Sequence, residues 1–146
     1  SLLPILLIED SDEDFIALAR TLQQTGVKNP LYRCQDGEEA LAFLQQRSHS
    51  NDTQRAPAPA LILLDLNLPG TDGREILKII KGNEKLRVIP IIVMTTSSNP
   101  RDIQDCYQFG ANSYQVKSSV YESFHREVQQ MVDYWLRVVV LPEVVE

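Results

Sequence analysis

Two apolar runs in this chain end on carboxylates. Glu9 and Asp10 follow Ile5-Leu6-Leu7-Ile8, and Asp65 follows Leu61-Ile62-Leu63-Leu64. Two further runs end on other chemistry: Ile91-Ile92-Val93-Met94 on the Thr95 hydroxyl, and Tyr114-Gln115-Val116 on the Lys117 ammonium. In a doubly wound parallel sheet, ligands bind beyond the carboxyl ends of the strands, so these four ends are where polar groups can share a site. Three carboxylates brought together repel one another and raise at least one pKa unless a cation compensates. An oxygen-only donor set suits a hard divalent ion, and Mg²⁺ commonly takes one or two carboxylates with water and phosphate oxygens. Such an ion would let an acidic pocket accept a phosphoryl group. Lys117 would add a second positive charge, and Thr95 could donate to a phosphate oxygen. One carboxylate would remain free to attack phosphorus, and Asp65, on the central run, is the candidate. Taken singly these residues are ordinary, because surface acids abound and lone lysines are usually solvated. Their joint arrangement carries the reading.

The elements that must position them alternate short apolar runs with segments of helical period, the pattern of a parallel sheet covered on both faces. Five such pairs fit. After Ile5–Ile8, Ser11 can cap a helix with Asp14 three residues on, and Phe15, Leu18, Ala19 and Leu22 form its apolar face. A weaker strand at Leu31–Gln35 precedes a helix that begins at Asp36-Gly37-Glu38-Glu39 and buries Ala40, Leu41 and Leu44. Residues 48–59, polar and then Pro/Ala-rich, read as a connecting loop. The run Leu61–Leu64 is apolar throughout, as a central strand should be. A third helix carries Ile76, Leu77 and Ile80 inward, and Pro90 opens the strand Ile91–Met94. Asn99-Pro100 is an N-cap with proline in the first turn, Gly110 ends that helix, and a short strand spans Tyr114–Val116. The last helix presents Val120, Phe124, Val128, Met131 and Trp135 at spacings of four and three.

With those residues in place, the sequence resembles the receiver domains of two-component response regulators over essentially its whole length. The match is carried by Ile8-Glu9-Asp10-Ser11, by Asp65-Leu66-Asn67-Leu68-Pro69-Gly70-Thr71-Asp72-Gly73, by Thr95-Thr96-Ser97 and by Tyr114-Gln115-Val116-Lys117. The resemblance implies a flavodoxin-like (βα)₅ fold with strand order 2-1-3-4-5, and one receiver domain over residues 1–146 with 137–146 as an apolar extension. It implies Asp65 as phosphoacceptor, and a Mg²⁺ ion held by Glu9, Asp10, Asp65 and the backbone carbonyl of Asn67. Thr95 and Lys117 would bind the phosphoryl group, with Thr95 and Tyr114 as the switch pair, Tyr114 turning inward as Thr95 moves. Pro69 and Gly73 would shape the loop that leaves Asp65. Ser118 stands where many receivers have a proline after the lysine, usually behind a cis peptide, so the Lys117–Ser118 bond is either a costly cis or trans. The Lys117-Ser118 pair, the long loop before the third strand and the tail from Trp135-Leu136 to Leu141-Pro142 look like the small phytochrome-associated response regulators of cyanobacteria. That implies a sensor histidine kinase, a phytochrome among the candidates, as donor. It also implies a protein that assists only its own phosphotransfer and dephosphorylation, and is not a turnover enzyme.

Composition narrows the field. The chain has 146 residues, 43% of them hydrophobic, enough for a core of its own. A net charge of −6 leaves no broad basic surface for nucleic acid. Cys34 and Cys106 stand far apart with no metal-ligand or redox spacing, and read as packing residues. His49 and His125 read as loop and helix-surface residues. No apolar run approaches membrane-spanning length and no leader pattern opens the chain, so a cytoplasmic protein is expected. No output domain is expected after the last helix, and output is expected through partner contact. The apolar tail Val138-Val139-Val140-Leu141 and Val144-Val145, with Trp135 beside it, predicts a homodimer with Trp135, Val139 and Leu141 in the contact. Three competitors fit less well. A receiver-like interaction module indifferent to phosphate does not need the full acidic set. A haloacid-dehalogenase-type phosphatase expects a second acid where this chain has Asn67. A flavin carrier expects a hydroxyl- and glycine-rich loop where this chain has Glu9-Asp10-Ser11-Asp12.

Overall fold

Burial sorts the strands of the computed structural model, which describes residues 2–49 and 58–143. The strands β1 (Ile5–Ile8), β3 (Leu61–Leu64) and β4 (Ile91–Thr95) are buried at every position, as central strands covered on both faces must be. β2 (Leu31–Cys34) and β5 (Ser113–Val116) are only partly buried and form the edges. All five pair in parallel, in the order β2-β1-β3-β4-β5, the doubly wound order expected from the sequence.

Because strand side chains alternate between faces, the buried strands feed two separate cores. On one face Leu6, Ile8, Ile62, Leu64, Ile91 and Val93 meet α2 (Gly37–His49), α3 (Gly73–Gly82) and α4 (Pro100–Gln108) through Leu44, Leu77, Ile80 and Cys106. On the other face Ile5, Leu7, Leu61, Leu63, Ile92 and Met94 meet α1 (Asp12–Gln24) and α5 (Tyr121–Asp133) through Leu18, Leu22, Phe124 and Val128.

Helix starts lie close behind the strand ends. Ser11 Oγ accepts from the Asp14 amide at 3.2 Å, the Asp72 carboxylate from Arg74 N–H at 2.9 Å, and Asn99 Oδ1 from Arg101 N–H at 2.9 Å with Pro100 at the first helical position. Asp36 caps α2 in the same way through the Glu39 amide at 2.8 Å. Gly110, at φ +105°, ends α4 in a conformation side chains rarely adopt. Gly73 matters for a different reason. A Cβ there would lie 2.6 Å from both the Asp65 carbonyl oxygen and Leu66 Cα, so the start of α3 rests directly on the backbone that carries Asp65.

Several expectations shift. Thr95 is the last residue of β4, and β5 begins at Ser113, one residue early. α2 runs on to His49, so residues 48 and 49 are helical; residues 50–57 of the expected loop lie outside the described residues. Val120 is not on the inner face of α5: it is the N-cap and is 54% exposed, because the helix starts one residue later. On α1 the fully buried group is Thr21, whose hydroxyl back-bonds to the Ala17 carbonyl, and Ala19 is only partly buried. α5 ends in a π-helical turn at Tyr134–Val138.

The Gly73→Ala substitution presses a methyl onto backbone atoms that cannot swing aside. It is expected to destabilise the fold by about 1–3 kcal/mol; an unchanged urea-denaturation midpoint would contradict this packing.

Candidate functional site

Sheet register brings the strand ends level. Ile8 pairs with Leu64, Leu64 with Val93, and Thr95 with Val116. Ladder-type bonds then run one step past the strands: Asp65 N–H to the Ile8 carbonyl at 3.0 Å, Glu9 N–H to Cys34 at 2.9 Å, and Lys117 N–H to Thr95 at 2.7 Å. The backbone of each candidate is therefore held before its side chain does anything. Carboxylate oxygens of Glu9, Asp10 and Asp65 lie within 4.8 Å of one another. Glu9 and Asp65 are buried, whereas Asp10 is exposed and forms the open side of the cluster.

Lys117 reaches into this group. Its ammonium donates to Glu9, to Asp14 at 2.8 Å and to Asp65 Oδ2 at 2.9 Å, with its side chain only 7% exposed. The other Asp65 oxygen accepts the Asn67 amide at 3.0 Å, and Glu9 Oε2 accepts from Ser11 N–H at 3.3 Å. Burial, and then the Asp65 carboxylate beside it, push Glu9 up to about 7 against the pull of Lys117. For Lys117, burial favours the neutral amine, but hydrogen bonds to Asp14 and Glu9 outweigh it and raise its pKa above the ordinary lysine value. Three carboxylates thus share one ammonium, and a fourth, Asp10, lies in the same cluster. The donors are all oxygen, they are unequally buried, and they carry excess negative charge, which fits a hard divalent cation at Glu9, Asp10 and Asp65. The Asn67 amide is engaged with Asp65, and Asn67 bridges to Asp72 across the loop.

Thr95 is fully buried, and its Oγ1 accepts from Ser97 N–H at 3.4 Å. The loop after β4 is gripped from two sides. Tyr114 Oη donates to the Ser97 carbonyl at 2.9 Å, its ring half-buried against the core. Ser97 Oγ donates to Asp102 at 2.6 Å, and Asp102 accepts from Arg74 at 3.2 Å, a guanidinium also paired with Asp72 at 2.8 Å and Asp105 at 3.5 Å. The expected inward turn of Tyr114 is not needed for it to touch this loop, since it is already docked there. An open groove of about 390 Å³ lies alongside, lined by Asn67, Thr71, Arg74, Ser97 and Asp102.

Some residues acquire roles that sequence did not assign. Asp14, expected only as a partner in the α1 cap, also binds Lys117; its position one helical turn past the acidic loop was the available signal. His125 is not a plain surface residue, because its Nδ1 lies 3.0 Å from the buried Thr21 hydroxyl between α1 and α5, and its ring stacks on Tyr121. Among the described residues no peptide is cis, so Lys117–Ser118 is trans, and Ser118 Oγ accepts from Val120 N–H at 3.1 Å. Trp135 packs on its own domain's α1/α5 core and meets Tyr134 edge-on.

A family model described as the response regulator receiver domain matches residues 5–129. Response regulator Rcp1 of Synechocystis sp. is 41% identical over 138 residues, which is 94% of this chain and 92% of that protein. The Mn²⁺-bound crystal structure of Rcp1 has a TM-score of 0.86 and covers 94% of this chain and 97% of its own. The structure of the phosphorylated cyanobacterial phytochrome response regulator RcpA is 36% identical, with a TM-score of 0.88 over 98% of this chain and 100% of that one. These relatives are of the kind the sequence resemblance named.

The cluster makes stability depend on pH in a defined sense. Glu9, raised from 4.5 to about 7, gains a proton on folding between those values, so its contribution grows as pH falls through that window and is lost above it. Lys117→Met leaves buried carboxylates without a counter-ion, and should cost about 3–5 kcal/mol near neutral pH or above in metal-free buffer. Much of that loss should disappear below about pH 5.5, once Glu9 is protonated. Urea denaturation with chelator at both pH values checks this; a deficit independent of pH would contradict it.

Proposed function

Since the chain belongs to the response regulator receiver family, we propose that it is a phosphorylation switch that accepts a phosphoryl group on Asp65 from a sensor histidine kinase. The observation that carries this reading is the convergence of Glu9, Asp10 and Asp65 on one point with the Lys117 ammonium bound to Asp65. Glu9, Asp10, Asp65 and the Asn67 carbonyl would hold Mg²⁺, which when bound offsets the negative charge of carboxylates and phosphate together. The chain's own groups do the rest. Lys117 and the Asn67 amide grip the two Asp65 oxygens and orient the carboxylate. One oxygen forms the new bond to phosphorus as the donor's phosphohistidine P–N bond breaks and its imidazole leaves. Lys117 stays charged at neutral pH and can follow the charge onto the phosphoryl oxygens, releasing Asp14 or Glu9.

Signal output follows from Thr95. Its hydroxyl would turn from the Ser97 amide to a phosphoryl oxygen, and Ser97 is the residue that Tyr114 and Asp102 both hold. The surface formed by the loop after β4, α4 and β5 is therefore the part that changes, and it would act by altered protein contacts. One relative supports a light-regulated donor, since RcpA, which matches 98% of this chain, is a phytochrome response regulator. The cofactor reading is supported by the oxygen donor set and by the Mn²⁺ in the Rcp1 structure.

Homodimerisation through the tail is part of this reading. Tyr134, Val138 and Val140 are exposed, Val140 by 96%, while Val139 and Leu141 are half-buried. The buried side of Trp135 anchors the tail on its own domain, so the contact would be made by the residues after it. Val144 and Val145 lie outside the described residues. No helix among the described residues is long and apolar enough to cross a membrane.

Incubation with acetyl phosphate and Mg²⁺ is expected to add one phosphoryl group by intact mass, and Asp65→Asn to abolish it; an undiminished adduct in the variant would overturn the assignment. Deletion of residues 138–146 is expected to convert a dimer to monomer by light scattering, and an oligomeric state that the deletion does not alter would count against the tail.

A further inference from the structure

Arg33 sits on the edge strand β2, paired in register with Leu7, and its side chain is 13% exposed. It reaches over the end of β1. Nε donates to the Glu9 carbonyl at 3.0 Å, Nη1 donates to the Asp12 carboxylate at 2.7 Å, and the guanidinium lies 4.8 Å from the centre of the Phe15 ring. Nη2 is buried without a hydrogen-bond partner. Leaving a charged donor unpaired in the interior is costly, and an apolar side chain could cover Phe15 without that cost. What arginine supplies at this position is its grip on the turn between β1 and α1.

That turn carries two of the three cluster carboxylates. Glu9 is tied to β2 twice, by its own N–H to the Cys34 carbonyl at 2.9 Å and by its carbonyl to Arg33. Fixing the Glu9 carbonyl fixes the planar Glu9–Asp10 peptide, and so the direction in which Asp10 leaves the chain. Asp10 is exposed, so its aim comes from the backbone beneath it and not from surrounding packing. The same fork holds Asp12 at the first residue of α1, which brackets the turn from its far side. A planar guanidinium can serve two such acceptors at once in a fixed geometry that an ammonium cannot reproduce.

We propose that Arg33 is a positioning residue for the divalent-cation site, holding the turn from Glu9 to Asp12 so that Glu9 and Asp10 present their carboxylates together with Asp65. This rests on the reading that those carboxylates bind Mg²⁺. Charge and geometry oppose each other here, which makes the inference testable. Removing a cation beside an acidic cluster tightens Mg²⁺ binding if Arg33 acts only through its charge. Loss of the clamp weakens it.

The test is a Mg²⁺ titration of the full chain followed by amide chemical shifts, with far-UV circular dichroism to confirm folding. Arg33→Met is expected to weaken Mg²⁺ binding roughly tenfold, the scale on which partners that orient metal ligands act. Arg33→Lys keeps the charge and loses the fork, so it should also bind more weakly, and it decides the matter if Arg33→Met does not fold. Binding in the folded variants equal to or tighter than that of the unaltered chain overturns the positioning role while leaving the function above intact. An unaltered chain that binds no Mg²⁺ overturns that function, and this inference with it.

Discussion

Three carboxylates share the ammonium of Lys117, two of them with little access to water. Gathering acids at the ends of two adjacent strands and in the first turn of α1 is unfavourable unless positive charge is supplied, and the chain supplies one buried cation where four acids are close. Burial first, and then the neighbouring Asp65 carboxylate, raise the pKa of Glu9, and Asp10 is exposed on the side from which a cation would come. The remaining deficit explains why so much backbone bonding is concentrated at this end of the sheet. Repelling groups stay together only if the scaffold holds them, through the Ile8, Cys34 and Thr95 carbonyls and through Gly73 seated on the Asp65 peptide.

A different economy governs the neighbouring loop. Thr95 is buried and bound only weakly to the Ser97 amide, while Ser97 is held strongly by Asp102 and by Tyr114. Arg74 joins that loop to the start of α3 through Asp72, Asp102 and Asp105. The bond that Thr95 itself makes in this chain of contacts is among its longest. Drawing the Thr95 hydroxyl toward a new acceptor at Asp65 has only a 3.4 Å hydrogen bond from the Ser97 amide to break, and the consequences reach residues on two helices.

Much of this was legible in the residues. Apolar runs that lack alternation, such as Leu61–Leu64, announced central strands, and Ser11, Asn99 and Gly110 marked helix ends, because local rules govern those features. The strand-end acids, Thr95 and Lys117 were legible because a parallel sheet puts one end of every strand on one side. Contacts that depend on how separate elements come together were not. His125 paired with Thr21, Arg74 with Asp102, and Arg33 with the Glu9 carbonyl join residues far apart in sequence, and no spacing rule links them. The misplacement of Val120 came from extending a helical period back onto the N-cap itself, since periodicity alone does not mark where a helix begins.

The strict separation of the two cores bears on how signals could cross the molecule. Tyr114 packs with the core that holds α2, α3 and α4, whereas Trp135 and Leu136 pack with the one that holds α1 and α5. The C-terminal tail and the switch loop therefore rest on opposite sides of a sheet whose central strands are fully buried. β4 touches both, Ile91 and Val93 facing one way and Ile92 and Met94 the other, and it ends at Thr95. β1 and β3 face both cores as well, so whatever coupling free energy links events at the tail to events at Asp65 must be carried across these three buried strands, in sub-ångström shifts of close-packed side chains, which makes near-additivity of the two the molecule's default.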